Sequence, residues 1–290
     1  MHYDRHITLG IVRPLRRILK LESQNNTLTI LMYHSISDAR EDHLPPYYRT
    51  GTHPLVFALH MAWLREHKIR GVSLRDGLEN TSPASFSGEK KVVLTFDDGF
   101  ADFMTAAYPI LLEHGFGATV FLATAFIGNQ PRHFNTRECL TWNHIRELHR
   151  GGIEFGSHTV NHPQLHGLDR TRIRAELHSS KVMIEQEIGS TVFSFSYPYA
   201  FPSGDPSFAR DLGIMLGEAD YGSEVTTEVG RNHPGFNPYR LKRLPMNSCD
   251  DNALFAAKLE GAYDWFGHAQ GVSKRCRQFA TRNRHDALPP

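Results

Sequence analysis

Short runs of β-branched and aromatic residues alternate with segments of helical period along most of this chain, and that alternation is the feature that most restricts its fold. Thr29 to Tyr33, Val92 to Phe96, Thr119 to Ala123, Ile153 to Phe155, Val192 to Tyr197 and Leu241 to Met246 read as strands. Between them, Phe57, Met61 and Leu64 fall at helical spacing behind Pro54, and a helix covers roughly Phe103 to Glu113 before Gly115. Thr141 caps a helix that ends at Gly151-Gly152, and Asp169 caps a long one running through Ile173, Leu177 and Ile184 to Gly189. Asp250 is placed to cap the last helix, through Leu254, Leu259 and Tyr263. Strands separated by helices pair in parallel through crossovers, so the class is α/β, with a barrel or an open doubly wound sheet as the two architectures. One domain is expected from about 28 to 266, behind an extension at 1–27 and ahead of a polar tail at 267–290.

Charge and cysteine content narrow the function. Over 290 residues the formal net charge is +1, which gives no overall electrostatic footprint for nucleic acid. Three cysteines, at 139, 249 and 276, are too far apart for a C-x-x-C metal knuckle and read as reduced thiols. No run of 18 apolar residues is present, and Arg13, Pro14, Arg16, Arg17 and Lys20 interrupt the first apolar stretch where a secretory signal would be uniform. The expectation is a cytoplasmic protein. In that first stretch Ile11, Val12, Leu15, Ile18 and Leu19 share a helical face with Arg16, Arg17 and Lys20 mostly off it. Such a helix either packs on the protein's own body or, through residues 11–21, makes a peripheral membrane contact.

Three polar clusters follow the ends of expected strands, where parallel α/β folds build their sites. They are Thr95-Phe96-Asp97-Asp98-Gly99, His158-Thr159-Val160-Asn161-His162 and Ser196-Tyr197-Pro198-Tyr199. One carboxylate with two imidazoles makes a three-ligand metal site that leaves positions open for water and substrate. Zinc accepts such ligands, as do other first-row divalent ions. A second, adjoining carboxylate is what hydrolysis needs to take a proton from water.

On these residues the chain resembles the polysaccharide deacetylase family, whose homology domain is shared with the nodulation chitooligosaccharide deacetylases. The first family motif, Thr-Phe-Asp-Asp-Gly, stands unaltered at 95–99, and the second, His-Ser/Thr-x-x-His, is matched at 158–162. The resemblance implies a single distorted (β/α) barrel with fewer than eight complete units. It implies Asp97 as catalytic base and Asp98, His158 and His162 as ligands of a divalent ion, zinc first, with cobalt or nickel as alternatives. Pro198-Tyr199 matches the third motif, in which the tyrosine backbone N–H helps form an oxyanion hole, although Ala200 replaces the family's glycine.

Two departures stand out. The arginine that often opens the third motif and orients the base is absent, Ser196 and Tyr197 occupying that stretch; Arg243 is the candidate substitute. A Leu-x-His motif near the C-terminus, usually the general acid, is also missing, which leaves His34 and His233 as candidates. His144 and His166 read as bystanders. The form Phe195-Ser196-Tyr197-Pro198-Tyr199 resembles the branch acting on exopolysaccharides such as poly-N-acetylglucosamine. Tyr47, Tyr48, Trp142, Tyr199 and Phe201 are aromatic candidates for sugar stacking, Trp142 reading more readily as core. The expected activity is therefore hydrolysis of N-acetyl groups on a glycan. Another amidase acting on a small or lipid-linked sugar, and an inactive carbohydrate-binding module, are the rival readings.

Overall fold

The computed structural model describes residues 3–19, 27–41, 44, 49–79 and 90–267. Seven parallel strands form a closed barrel: β1 (Ile30–Tyr33), β2 (Lys90–Phe96), β3 (Thr119–Leu122), β4 (Glu154–Ser157), β5 (Ser194–Ser196), β6 (Ser223–Val229) and β7 (Leu241–Pro245). Consecutive strands are neighbours, and β1 closes the ring by pairing Leu31 with Leu244 on one side and Leu94 on the other. Ile69–Val72 adds an outer strand against the first half of β2. This is the barrel of fewer than eight units that the motifs imply.

The main helices are α1 (Pro54–Glu66), α2 (Tyr108–His114), α3 (Trp142–Arg150), α4 (Arg170–Ile188), α5 (Pro206–Glu218) and α6 (Asn252–Leu259). Their ends follow local chemistry. Thr141 accepts from the His144 N–H and the His144 ring accepts in return, a reciprocal cap on α3. Asp169 caps α4, which Gly189 ends in the left-handed region. The cap of α6 is Asp251, not Asp250; Asp250 is instead buried against Lys258 at 2.6 Å and accepts from the Asn247 N–H. The expected 103–113 helix opens as a π turn over Phe103–Ala107 before α2. Pro109 has no N–H to give an i−4 carbonyl, so the wider turn stands where regular α geometry would leave that acceptor empty. Helix α5 and strand β6 lie outside the expected elements. The strand reads Ser-Glu-Val-Thr-Thr-Glu-Val, too polar to register as an apolar run although largely buried.

Alternation along each strand divides the interior in two. One set of side chains faces the helices, where Phe57, Met61, Leu111, Ile145, Leu177 and Leu212 join the main core. The other set fills the lower barrel with Ile30, Val93, Phe121, Val225 and Leu241. Gly156 is required there, because a Cβ would fall 2.5 Å from the Phe121 ring. Each such buried side chain contributes about 1.5–3 kcal/mol.

Residues 3–18 form one helix with a π turn at Thr8–Val12, lying against α6 and the segment after it. Among the described residues no helix is long and apolar enough to cross a membrane. Lys20 and residue 21 of the expected amphipathic segment lie outside the described residues, as do Tyr47, Tyr48, Cys276 and the tail from 268. Cys139 and Cys249 are free thiols. Burial, with Asp98 nearby, pushes Cys139 up to about 12, which leaves it inert.

Candidate active site

Asp97 follows the last residue of β2, its N–H held by the Tyr33 carbonyl at 3.0 Å. In continuing strand geometry Asp98 would point away from it, toward the helices. Asp98 and Gly99 instead take φ of 72° and 67°, and the chain turns so that both carboxylates serve the barrel mouth. A Cβ on Gly99 would stand 2.8 Å from Leu122, so the position needs glycine for space as well as for its backbone.

Beyond β4, the His158 N–H bonds the Leu122 carbonyl and its Nδ1 meets the Ser196 carbonyl at 2.7 Å. That contact makes Nδ1 the donor and leaves Nε2 as a free lone pair. His162 is brought back by a tight loop. Thr159 sits at φ 70°, costly for a β-branched residue, and its hydroxyl accepts from the His162 N–H at 2.9 Å. Glu176, in the second turn of α4, accepts from the Val160 and Asn161 N–H groups and clamps the same loop.

The result is a triangle. His158 Nε2 and His162 Nε2 are 3.1 Å apart, and each is 3.5 Å from Asp98 Oδ1. Ligands at about 2.0–2.1 Å around a tetrahedral ion stand roughly 3.4 Å from one another. The donor set of two imidazoles and one carboxylate, with its lone pairs converging at that spacing, therefore fits a divalent ion. Two imidazole nitrogens at 3.1 Å are otherwise unfavourable neighbours. Burial, followed by the adjacent His158, pushes His162 down to about 4, so it offers a neutral lone pair at ordinary pH.

Asp97 is buried and fixed from β7, two strands away around the ring. Arg243, on β7 and 1% exposed, donates Nη1 to Oδ1 at 2.8 Å and Nη2 to Oδ2 at 2.7 Å. Its remaining donors reach the Thr226 carbonyl, Thr95 Oγ1 and Ser196 Oγ, and Ser196 Oγ also donates to Asp97 at 3.2 Å. Burial alone would raise the Asp97 carboxyl; the Arg243 guanidinium, with His158, overcomes it and holds the group well below the usual carboxylate range. Asp98 is likewise lowered, burial being outweighed by the neighbouring His158 and by His34. Arg243 thus makes the contact to Asp97 expected of it, and Ser196, which stands where an orienting arginine is often found, lends a hydroxyl to the pair.

His34 Nε2 lies 3.9 Å from Asp97 Oδ2, in the site and partly exposed. His233 is a correction. It is exposed, and its neighbour Asn232 pairs with Leu28 ahead of β1, at the end of the barrel opposite the triad; it takes no part in the site. Tyr199 has φ 59° in a turn that Thr227 Oγ1 holds on both sides, accepting from the Phe201 N–H and donating to the Tyr199 carbonyl, each at 2.9 Å. The Tyr199 ring, 54% exposed, and the Phe134 ring lie 4.6 and 4.9 Å from His162. Phe134 belongs to the hairpin His133–Phe134/Arg137–Glu138. Trp142 and Phe201 are core residues. His144 caps α3 and His166 meets Asp205, and neither belongs to the triad. The residues not anticipated are Ser196 as a ligand of the base, Thr159, Glu176, Thr227 and Phe134. A loop of the form His-Thr-x-x-His implies a hydroxyl for Thr159; nothing local marks the other four.

Fold and site define a (β/α)-barrel hydrolase with a divalent-metal triad and an arginine-held carboxylate beside it. Residues 85–216 match the model of the polysaccharide deacetylase family. It is 28% identical over 234 residues to the Bacillus subtilis protein YxkH, assigned to the polysaccharide deacetylases, covering 80% of this chain and 76% of that one. It is 22% identical over 246 residues to the poly-β-1,6-N-acetyl-D-glucosamine N-deacetylase of Staphylococcus aureus, over 78% of this chain and 80% of the relative. In structure it resembles the Streptococcus pyogenes deacetylase PplD, solved with acetate, with a TM-score of 0.69 and 23% identity over 81% of this chain and 98% of that one.

Proposed function

We propose that this enzyme removes acetyl groups from N-acetylglucosamine units of an exopolysaccharide of the poly-N-acetylglucosamine type, with zinc as its ion. The observation that carries the proposal is the Asp97 carboxylate, gripped bidentately by Arg243 beside the Asp98/His158/His162 triangle. A binding module has no use for a buried base next to a metal triad. The S. aureus relative supports the glycan class, and the two-imidazole, one-carboxylate donor set supports zinc.

Asp98, His158 and His162 would hold the ion. Bound there, it supplies Lewis acidity toward a carbonyl oxygen and makes nearby water more acidic. Asp97, ionised at any ordinary pH, accepts the proton of the attacking water, whose oxygen adds to the acetamide carbon. Arg243 and Ser196 keep both carboxylate oxygens in place during that transfer. The Tyr199 backbone N–H, in the turn that Thr227 holds, is the donor to the developing oxyanion. His34, whose Nε2 lies 3.9 Å from Asp97 Oδ2, is the proton donor to the leaving nitrogen. The C–N bond breaks, and acetate and a free amino sugar leave. The exposed Tyr199 ring and Phe134 offer apolar faces beside the triad for a sugar ring.

The test is acetate release from β-1,6-linked N-acetylglucosamine oligomers by chelated protein, then with zinc, cobalt or nickel restored. Metal-dependent release that Asp97→Asn abolishes is the expected result. No release by protein carrying one tightly bound zinc would overturn it, and formate or ammonia release from other amides would then identify the rival amidase.

A further inference from the structure

The N-terminal helix is turned the wrong way for a helix that belongs to a globular core. An amphipathic surface helix normally buries its apolar stripe and exposes its charges. Here the polar row faces the protein. Arg5 makes a two-pronged pair with Asp251, Thr8 accepts from the Trp265 ring N–H at 3.0 Å, and Arg13 grips both oxygens of Glu260. Asp4, the only carboxylate among residues 3–19, accepts from the Tyr263 hydroxyl. The opposite row, Tyr3, Ile11, Leu15, Ile18 and Leu19, is 51–76% exposed.

We propose that this face is a docking surface for an anionic lipid bilayer, on which the helix lies flat. Three observations favour that occupant. Arg13 and Arg17 share the single carboxylate of Glu260, which already holds Arg13 by two bonds; Arg17, with its side chain 68% exposed, reaches it only at 3.8 Å. The C-terminal half of the helix therefore carries excess positive charge at the edge of the apolar row, as interfacial helices do. No carboxylate stands on the exposed row to repel lipid phosphate. The third is size. Sixteen residues at about 1.5 Å each give a strip about 24 Å long and about 10 Å wide, roughly 250 Å² in footprint against the ~800 Å² per partner of a stable protein interface. A strip that small suits shallow insertion among headgroups better than a second copy of the chain. The ion pairs to α6 carry a consequence too. They tie the helix rigidly to the barrel, so that lipid binding would orient the whole enzyme.

The experiment is co-sedimentation of the full chain with vesicles of phosphatidylcholine alone and of phosphatidylcholine with phosphatidylglycerol, beside the variant Ile11→Ser/Leu15→Ser/Ile18→Ser. The expected result is binding to the anionic vesicles, weaker on neutral ones and at ~0.5 M salt, and lowered about tenfold or more in the variant. The variant's Tm and its turnover of soluble oligomers should be unchanged, and that holds whether or not the reaction is the one proposed above. Failure of the wild-type chain to sediment, or equal binding by the variant, overturns the inference. So does a dimer in solution that the variant abolishes, which assigns the face to a second copy. A variant Tm several degrees lower overturns it as well, because the row would then be covered by the protein itself.

Discussion

At the lower end of the barrel Ile30, Val93, Phe121, Val225 and Leu241 fill the interior with apolar side chains, whereas the upper end gathers Thr95, Asp97, His158, Ser196 and Arg243. The two ends are buried alike and stabilised differently. Apolar packing below is non-directional and loses roughly in proportion to the volume removed. Above, each charge is out of water and depends on a particular partner, so that deleting one member strands the other. The backbone differs in the same way. Asp98, Thr159, His162 and Tyr199, four of the non-glycine residues with positive φ, cluster at the upper end. Strain of that kind persists only where surrounding bonds over-determine the conformation, as Glu176, Thr159 and Thr227 do here.

The comparison is broken most severely by taking the chemistry out of the upper end. Asp98→Ala or His162→Ala is expected to remove both bound metal and acetate release, read by metal analysis of purified protein and by turnover. Asp97→Asn should lower kcat by roughly 10²- to 10⁴-fold while metal content stays near wild type, with a lower Tm because the buried Arg243 guanidinium loses its counter-charge. A loss of metal in Asp97→Asn would mean that the carboxylate is a ligand and that the base lies elsewhere.

Phe121→Ala attacks the other end. It opens a cavity beside Gly156 and is expected to cost about 3–5 kcal/mol of stability, measured by denaturant unfolding, with kcat per folded molecule retained. If kcat fell together with stability, the two ends would be coupled through the strands and the division drawn above would not hold.

Arg243→Met tests the pair that joins charge to burial. In the wild-type enzyme the arginine holds Asp97 ionised below the usual carboxylate range. The sign for stability follows from a lowered native pKa. The pair's contribution is present above the unfolded carboxylate pKa, about 3.9, and is lost only as pH falls through the lower native value. Across ordinary assay pH the wild-type acid limb is therefore not set by Asp97. Without the cation, burial remains and pushes the carboxyl up, so the acid limb of kcat/KM should move to higher pH, with kcat falling more than KM changes. An unmoved acid limb would assign Arg243 a purely structural role.

The uneven legibility of this chain has the same physical origin. The two acidic residues, the two histidines and the strand ends that carry them are local in sequence, and strand-then-motif patterns announce them. The partners that make them work come from other strands and helices. Arg243 lies 146 positions from Asp97, and only the expectation of an orienting cation links the two in sequence. Ser196 looked like a deficit and is a ligand of the base, because in a closed barrel β2, β5 and β7 all face one interior. His233 illustrates the converse. It is a candidate acid by residue type, between Asn232 and Pro234, and only the ring order shows that it falls at the foot of β1. Strand β6 was invisible for a related reason. Its Thr and Glu side chains are buried by their neighbours in the barrel, and a polar composition gives no sign of that.

The smallest expected effect lies in the loop between the two histidines, where strain and hydrogen bonding can be separated. Thr159 combines an unfavourable φ of 70° with a hydroxyl that fixes the His162 N–H. Thr159→Ser keeps the hydroxyl and removes the branch that makes this φ costly, so metal affinity should be retained and stability unchanged or slightly higher. Thr159→Ala removes the hydroxyl and leaves a Cβ at the same φ. Metal affinity should fall by about tenfold, as when an outer-shell partner of a ligand is lost, and activity at limiting zinc should fall with it and recover at saturating zinc. Competition with a chelator of known affinity measures both. Equal affinities in the two variants would show that Glu176 alone holds the loop. A loss in Thr159→Ser as large as in Thr159→Ala would show that His162 is positioned by the packing of the threonine methyl rather than by its hydrogen bond.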